Sequence, residues 1–527
     1  MIRPRLAHLA LAALLPALAA AQNPFSSSQR WSAKPGVADW MPNQVAFAGD
    51  DAFVWAAVRG SQHSLHLYDT VTSGPASPRG LVAPLVGQFG APMVAAGSRG
   101  DAVFALRQVE APTVYRRAPL VSAFDPLSAS GGSTLVEHWR HDMGVRINGP
   151  VRLATDADGD LVAAAAWDDR NAQVRIDLLD GTVGSLRGRV DLPALGLGAI
   201  AVSADGSRVA VSAGMTLYVL DAAASVVHSQ PLDAATQALA LSVDGGTLVY
   251  GDFGTLHVLA EFPGFAHVSV SQIAGSSNEL PSRVALSADG SIVSIGWWNY
   301  TTGRAARLEM FDLIFQFALA SYDLPAPSGA TQNLVSSIEM SENGQRAAFG
   351  TWGNGSVPEV LVLELGAPSP VMVMNTPGSV QGLDLDASGT RVVVAHKDVH
   401  AGTFGSRGTI RLVDSGERKV QLLETPRLGG DLTVAARYPG TTLGWFLVGP
   451  KSVTPQFFPG VTGPLLIERG RVQIFARAPD MGGRIDYSTP IPNTPSLRGV
   501  QMHVQAAFRT PQGLEFTGNL VSPFLLD

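Results

Sequence analysis

Cysteine is absent from this chain of 527 residues, and charged residues make up only 15% of it. Without cysteine the folded protein has no disulfide, no thiolate ligand for a metal and no lipid-modified cysteine. The charges are nearly balanced, with 37 basic and 44 acidic residues. The sequence therefore has no basic surplus of the kind that marks a nucleic-acid partner. Its stability has to come from the burial of apolar side chains.

Long apolar runs are missing after the first twenty residues, so we expect no membrane span there. The N-terminus has two basic residues, Arg3 and Arg5, an apolar core over Leu6–Leu18, and small residues at Ala19–Ala21. This order is typical of a cleaved signal peptide. The alternative, a membrane anchor, needs about 20 apolar residues, and this run is shorter and contains Pro16. We therefore expect the first 21 residues to be a signal peptide and the protein to be secreted, either periplasmic or extracellular.

Sustained helical periodicity is also scarce, whereas short apolar runs between turn residues are common. The clearest unit spans Gly198–Asp221. It has an apolar run, a turn at Asp205-Gly206, a second apolar run over Val209–Val211 and a third over Leu217–Leu220. This spacing predicts three antiparallel strands. Such a meander cannot bury both of its faces alone, so the unit predicts neighbours of the same kind.

The unit recurs seven more times, at turn-to-turn intervals of about 40 to 60 residues, which is the size of a four-stranded blade. The other copies span Gln44–Asp69, Pro92–Asp125, Val151–Asp180, Gln237–Leu259, Arg283–Asp312, Ser337–Leu365 and Gln381–Asp414. Second runs rich in Ala and Val, such as Leu161–Ala166, are typical of strands buried on both faces. We expect Lys419–Leu423 to supply the fourth strand of the last copy. Residues 22–43 are predicted to be an N-terminal lead-in attached to the first repeat.

The repeated pattern is apolar-x-apolar-Ser-x-Asp-Gly, then an apolar strand, then a strand that ends in Asp. It resembles the blades of WD40-like and YVTN-type β-propellers. No copy ends in Trp-Asp, and neither a YVTN tetrapeptide nor the Gly-His pair of WD40 blades occurs, so the resemblance implies the fold and says little about partners. It implies an all-β protein with an eight-bladed propeller over residues 44–425. Seven blades is the alternative, because one early copy is divergent.

From Pro426 onward the repeat stops, and strand-like runs are separated by turns rich in Pro and Gly. These runs are Thr433–Ala436, Gly444–Val448, Val472–Ala476 and Val500–Phe508. They predict a small β-sandwich-like domain over residues 426–527. The segment STPIPNTPSLRG, with the following residues up to NLVSPFLL, resembles a C-terminal module of secreted planctomycete-type proteins. That resemblance supports secretion and implies no activity.

Two segments contain residue types that bind metals. Asp156–Asp160 has a calcium-like spelling, but an EF-hand would need Gly at Leu161 and a bidentate Glu at Trp167, so we interpret it as a turn. His396–His400 places two imidazoles and a carboxylate on one face of a strand. No fourth ligand is evident, and we interpret this segment as a solvated loop. We predict no metal and no cofactor.

Aromatic residues follow the second strands of several repeats, where the loops differ in length and charge. Variable loops on a constant scaffold commonly carry binding sites. The alternative is that these aromatic rings fill gaps between the ends of blades. The predicted ligand-binding residues are Trp167, Trp297, Trp298, Tyr300, Trp352 and His396.

Catalytic motifs are lacking, since there is no G-x-S-x-G elbow, no H-E-x-x-H and no phosphate loop. We expect a secreted, non-enzymatic binding or scaffold protein. Its partner would be a polar neutral ligand such as a glycan or peptide, or another protein. The alternative is a propeller enzyme of the lyase, glycosidase or quinoprotein type with a site over the central channel. Converging carboxylates, histidines and arginines with displaced pKa values at the channel mouth would favour the enzyme, whereas an aromatic, uncharged mouth would favour binding.

Overall fold

The chain is described here from a computed structural model. It covers residues 28–516 apart from short gaps. The gaps are 34–40, 49–50, 60–61, 71–73, 76–77, 98–101, 112–115, 129–132, 261–267, 277, 325–333, 354–356, 366–369, 388, 401–406, 415–419, 423–425, 438–442, 457–460, 463–464, 480–483, 498–499, 501 and 511–512. The expected signal peptide lies outside the described residues. Within the described ranges the structure is all-β, and no helix there is long and apolar enough to cross a membrane.

Eight antiparallel sheets of four strands, numbered here as blades 1 to 8, follow one another along the chain. Each blade runs from an inner strand through a second and a third strand to an outer one. Blade 1 consists of Met41–Ala48, Phe53–Arg59, Leu65–Asp69 and Gly80–Val82, and blade 2 of Met93–Ala96, Val103–Ala111, Arg116–Phe124 and Glu137–Asp142. Blade 3 consists of Val151–Thr155, Leu161–Asp168, Gln173–Asp180 and Leu186–Pro193, and blade 4 of Leu197–Val202, Arg208–Ala213, Thr216–Asp221 and Val226–Pro231.

The second half of the ring has the same order, except at its last strand. Blade 5 consists of Leu239–Leu241, Thr247–Asp252, Thr255–Ala260 and Val268–Ala274, and blade 6 of Glu279–Leu286, Ile292–Asn299, Arg304–Asp312 and Phe317–Asp323. Blade 7 consists of Val335–Met340, Arg346–Thr351, Val360–Glu364 and Met372–Met374, and blade 8 of Val380–Leu385, Arg391–Lys397, Gly408–Asp414 and Ser28–Ala33. The short strands Ser133–Thr134 and Gly74–Pro75 extend blades 1 and 8, and a 3-10 turn lies at Pro126–Ser128.

The inner strands contact one another in cyclic order, from blade 1 through blade 8 and back to blade 1. This closed order defines a β-propeller-like architecture with a channel along its axis, and it has eight blades where seven was the alternative. Second strands are the most deeply buried elements. Arg346–Thr351, for example, is buried at every position. Sheets on both sides of such a strand explain why its sequence is apolar without alternation.

The ring is closed by a strand from the N-terminal region. Ser28–Ala33 pairs antiparallel with Gly408–Asp414 and becomes the outer strand of blade 8. The expectation that Lys419–Leu423 would complete this blade is wrong. Gln421–Leu422 instead pairs with Asp431–Arg437, which lies beyond the propeller. The register that holds the ring shut therefore joins residues from opposite ends of the repeat array.

Trp31 anchors the closing strand on its apolar side. Its side chain is fully buried, and its ring centroid lies 5.2 Å from that of Tyr68 in blade 1. The same apolar cluster contains Val393 and Ile410 of blade 8. The lead-in predicted to attach to the first repeat thus packs against blade 1 while its backbone hydrogen-bonds to blade 8.

The Ser-x-Asp-Gly motif forms the turn between inner and second strands. Ser203 Oγ donates to Asp205 Oδ1 at 2.7 Å, and the amide of Arg208 donates to Ser203 Oγ at 3.0 Å. The glycine of this turn, Gly206, has a φ of 68°, a left-handed conformation that glycine adopts without strain. Blades 5, 6 and 7 repeat these bonds, with Asn343 in the Asp position of blade 7. The motif is conformational, because its polar groups satisfy one another.

Adjacent turns are also joined to each other. The amide of Ala157 donates to the carbonyl of Ala204 in the next blade, and that of Glu342 to the carbonyl of Ala387, each at 3.1 Å. At the seam a side chain replaces the carbonyl, since Ala387 N donates to Asp51 Oδ2 at 3.1 Å. These bonds hold neighbouring blades in register at one end of the channel.

Beyond the propeller, three further sheets follow. Their strands are Gln421–Leu422, Asp431–Arg437 and Arg484–Pro490; Val461–Thr462, Gly513–Phe516, His503–Thr510, Leu443–Gly449 and Gln473–Arg477; and Lys451–Gln456 and Leu465–Ile467, with 3-10 turns at Arg469–Arg471 and Pro495–Leu497. The first two sheets share one apolar cluster, which includes Val434, Phe446, Tyr487 and Phe508.

Replacement of Trp31 by alanine tests the closure of the ring. Removal of a buried tryptophan ring costs about 3–5 kcal/mol, so we expect W31A to lower the melting temperature by about 5 °C or more. Thermal unfolding followed by circular dichroism measures the change. F253A is the matched control, because Phe253 is 63% exposed and its removal should shift melting by less than about 2 °C. Equal melting of W31A and the wild type would show that closure does not limit stability.

Candidate functional site

Two of the six predicted site residues lie in the core. Trp297 and His396 are fully buried. Trp297 Nε1 donates to Glu309 Oε2 at 2.9 Å, and His396 Nδ1 donates to the carbonyl of Lys397 at 2.8 Å. Both residues were predicted to bind a ligand. In the structure protein encloses their side chains, and their part in binding stays a prediction.

Of the other four predicted residues, three are half-buried and one is exposed. Trp167 is half-buried and lies against Gly149, where no space remains for a Cβ atom. Trp298 and Trp352 are also half-buried. Tyr300 is 41% exposed, and its ring lies 5.9 Å from that of the exposed Phe253. For Trp167 the gap-filling alternative describes the packing better than ligand binding does.

The loops that carry these aromatic residues lie beside the first residues of the inner strands. Trp167 N donates to the carbonyl of Pro150 at 3.2 Å, and Trp352 N to that of Leu334 at 2.9 Å. Each acceptor directly precedes an inner strand. The loops that carry the predicted residues therefore lie at the end of the channel opposite the Ser-x-Asp-Gly turns. We call this end the loop-face mouth and the other the turn-face mouth.

The two segments whose residue types can bind metals form hydrogen bonds to separate groups within the protein. His400 Nε2 lies 2.9 Å from Glu359 Oε1 of the neighbouring blade, away from the carbonyl that His396 contacts. Asp156 Oδ2 accepts a hydrogen bond from the amide of Leu161 at 3.1 Å, so Asp156 takes the place of the turn serine in its blade. In the described ranges no three acidic or histidine side chains are grouped to hold a metal.

The channel is the cavity that all eight blades share. Its larger part, about 760 Å³, reaches the turn-face mouth and is lined by every inner strand. A second part of about 390 Å³ opens at the loop-face mouth. Glu339 and Gln44 line both parts, so the two parts adjoin one another along the channel axis.

One layer of the channel wall is set by the residue two positions before the turn serine or its equivalent. In five blades this residue is alanine, namely Ala95, Ala154, Ala201, Ala240 and Ala285. Blade 1 has Phe47. Blades 7 and 8 have carboxylic acids, Glu339 and Asp384. An apolar ring of small side chains is thus interrupted by two adjacent acids.

The two acids share an environment that disfavours their charge. Both are half-buried and line the cavity that the eight inner strands enclose. Burial raises the pKa of Asp384 to about 7, although the amides of Phe47 and Leu385 donate to its carboxylate at 2.6 and 2.8 Å. Burial and the negative charge of Asp384 raise the pKa of Glu339 well above its ordinary value. Near neutral pH the pair therefore carries less than its full double charge.

Two arginines stand two residues earlier in the repeat, in blades 3 and 6. Arg152 Nε donates to the carbonyl of Gly198 at 2.8 Å, and Arg283 Nε to that of Ser336 at 3.1 Å. Each Nη1 donates to the carbonyl of the preceding residue, at 2.9 and 2.7 Å. Each arginine thus bridges to the next blade in the same way and remains at the wall of the loop-face mouth.

Neither guanidinium forms an ion pair with a carboxylate in the part of the chain that the structure describes. Burial and the like charge of Arg152 lower the pKa of Arg283 to about 10, and burial also lowers the pKa of Arg152. Two positive charges held near one another, with only neutral partners, make the loop-face mouth attractive to an anion. Polar side chains complete the rim, including Gln44, Gln237 and Gln381.

These four charged residues were not predicted, although a signal for them exists in the sequence. When the copies are aligned on the turn, Arg152 and Arg283 share a column with residues such as Ala199 and Gly382. Glu339 and Asp384 share theirs with five alanines. A charge at a position that sister repeats fill with small residues is the mark of a site built on the repeat.

Comparison with known proteins adds no assignment, since no protein-family model and no curated protein matches the chain. Fold and site together define the class as a β-propeller-like protein with a charged central channel.

Replacement of Glu339 by glutamine tests the acidic pair. An acid with a raised pKa binds more protons in the folded state, so the contribution of this pair to stability falls as pH rises from about 4 through about 7. E339Q removes the repulsion, and we expect it to melt about 2 °C or more above the wild type at pH 8 and with no gain near pH 4.

The control for this measurement is E342Q, which changes an exposed carboxylate at the turn-face mouth of the same channel. Its melting should follow that of the wild type at each pH. A constant difference between E339Q and the wild type across this range would contradict the pairing of Glu339 with Asp384.

Proposed function

We propose that the protein binds a small ligand through an anionic group at the loop-face mouth of the central channel. The observation that carries the proposal is the pair Arg152 and Arg283, which line this mouth without a carboxylate partner within the described ranges. A half-buried charge is costly unless it is paired. A ligand carboxylate or phosphate supplies the missing partner.

Arginine suits this role better than lysine would. Its planar guanidinium presents several donors at once and binds carboxylates and phosphates with two parallel hydrogen bonds. Nε and Nη1 of both residues are already held by backbone carbonyls, so the side chains are oriented before a ligand arrives. This proposal replaces the polar neutral ligand expected from the sequence with an anionic one.

We also propose that the eight sheets are propeller blades like those of WD40-like and YVTN-type repeats. The protein is secreted, and its first 21 residues are removed as a signal peptide. The segment after blade 8 is a separate β-sandwich-like domain similar to the planctomycete-type module. We place its start at Val420 and not at Pro426, because Val420 belongs to its apolar cluster and Gln421–Leu422 to its first sheet.

A second candidate function, an acid–base enzyme, is favoured by the carboxyl pair. A group with a pKa near neutrality can both accept and donate a proton under ordinary conditions. Asp384 has such a pKa, and the pKa of Glu339 beside it is also raised well above its ordinary value. Groups with these displaced pKa values concentrate at active sites. Glu339 and Asp384 lie in the same channel as Arg152 and Arg283.

Hexanoate and its neutral amide, hexanamide, test the anion site as a matched pair. We expect hexanoate to bind the full-length protein about tenfold more tightly, a difference of about 1.4 kcal/mol. R152Q and R283Q should each remove most of this preference. Ligand-observed NMR titrations measure the dissociation constants.

Two further variants separate binding from folding. R152K keeps the positive charge and should retain part of the preference. R471Q removes an exposed arginine outside the channel and should change nothing. Equal affinity for hexanoate and hexanamide, or a preference that survives R152Q and R283Q in folded protein, would overturn the anion site.

A polymer of uronic acid residues tests the enzyme, because Arg152 and Arg283 at the loop-face mouth suit a substrate that carries carboxylates. On this second candidate the wild type cleaves polygalacturonate, D384N lowers the rate by about 100-fold or more, and the rate changes with pH around 7. Release of reducing ends measures the reaction. Absence of cleavage by folded wild-type protein between pH 5 and pH 9 would contradict an acid–base enzyme for acidic polysaccharides.

A further inference from the structure

We propose that the ligand carries a second group, a cationic amine, which the channel takes up between Glu339 and Asp384. The inference rests on the proposed anion site and adds the chemical class of the ligand, a small zwitterion. The geometry that supports it is the placement of opposite charges in two successive layers of one narrow cavity.

The spacing of the layers follows from the repeat. Arg152 and Arg283 occupy one channel-facing position, and the two acids occupy the position two residues further along the inner strand. Two residues of a strand span about 7 Å, and both positions lie on the same face of the sheet. A ligand that enters at the loop-face mouth therefore meets the arginines first and the acids next. An extended molecule with an anion at one end and an amine at the other matches this order.

The surroundings of the acids favour an amine over a metal ion. Calcium takes six to eight oxygen ligands, whereas the described ranges contain no group of three ligating acidic or histidine side chains. The same layer is completed by five alanines, which supply no ligand but do fit a methylene chain. An ammonium group needs only acceptors for its three donors, and two carboxyl groups provide them.

Uptake of the amine is coupled to the release of a proton. Near neutral pH the pair carries less than its full double charge, and a bound ammonium between the carboxyl groups would displace the proton that remains. Asp386 adds negative charge near Asp384. The charged groups that line the channel are Asp51, Arg152, Asp156, Arg283, Asp289, Glu339, Glu342, Asp384 and Lys451. Of the basic ones, Arg152 and Arg283 line the loop-face mouth, and Lys451 belongs to the segment beyond the propeller.

The test compares 6-aminohexanoate with hexanoate on the full-length protein. The two probes share the carboxylate and the chain, so their difference isolates the amine. We expect 6-aminohexanoate to bind about tenfold more tightly at pH 8 and to lose most of that advantage at pH 5.5, which lies below the pKa of about 7 of Asp384. Calorimetry in two buffers of different ionisation enthalpy should show proton release for 6-aminohexanoate alone.

Variants assign the effect to the pair. E339Q should reduce the preference for 6-aminohexanoate over hexanoate about tenfold, and D384N should act in the same direction. E342Q, in the same channel, should leave the ratio unchanged. Hexanoate binding that depends on the arginines, with no advantage for 6-aminohexanoate, overturns this inference and leaves the anion site intact. Hexanoate binding that ignores both arginines overturns the proposed function itself.

Discussion

Each blade of this protein depends on its two neighbours, because a second strand is buried on both faces only when a sheet lies on each side of it. In an open array the second strands of the two terminal blades, Phe53–Arg59 and Arg391–Lys397, would each have one apolar face uncovered. The ring covers both faces, provided that the last blade is complete. Completion falls to Ser28–Ala33 and to Trp31, which packs against Tyr68 across the seam. Eight blades, a buried core and a central channel all follow from this one closure.

The channel is a consequence of closing the ring, and a few charged residues in its wall distinguish it from a purely apolar channel. Inner strands cannot meet at the axis of eight blades, and small residues such as Ala154 and Ala201 keep the passage open. Arg152, Arg283, Glu339 and Asp384 stand where sister repeats have small or apolar side chains. Substituting one channel-facing residue per blade leaves the turn bonds and the second strands untouched. The fold can therefore carry a polar site without losing its core.

The repeated unit could be predicted because its cause is local: Ser203, Asp205 and Arg208 satisfy one another within six residues. The strand that closes blade 8 could not, since Ser28–Ala33 lacks the repeat pattern and its partner lies far along the chain. Side-chain direction was the other obstacle. Neighbours on a strand point to opposite faces, so Trp297 is buried against Glu309 while Trp298 is half-buried. An alignment of the repeat copies would identify the charged channel residues, whereas a search for linear motifs does not find them.

The pairing of Ser28–Ala33 with Gly408–Asp414 also orders the events of folding. Contacts within a blade join residues that are tens of positions apart, whereas the closing register joins Ser28 with Asp414. Contacts between nearby residues form fast, and those across long separations form slowly because the chain must first bring distant segments together. The first of these two strands to leave the ribosome is thus held without its partner until nearly every blade has been synthesised. Until they pair, Ser28–Ala33 and then Gly408–Asp414 are unpaired strands of the kind that recruit other chains. For this architecture the vulnerable species is the open ring, and the time it persists is set by a six-residue strand.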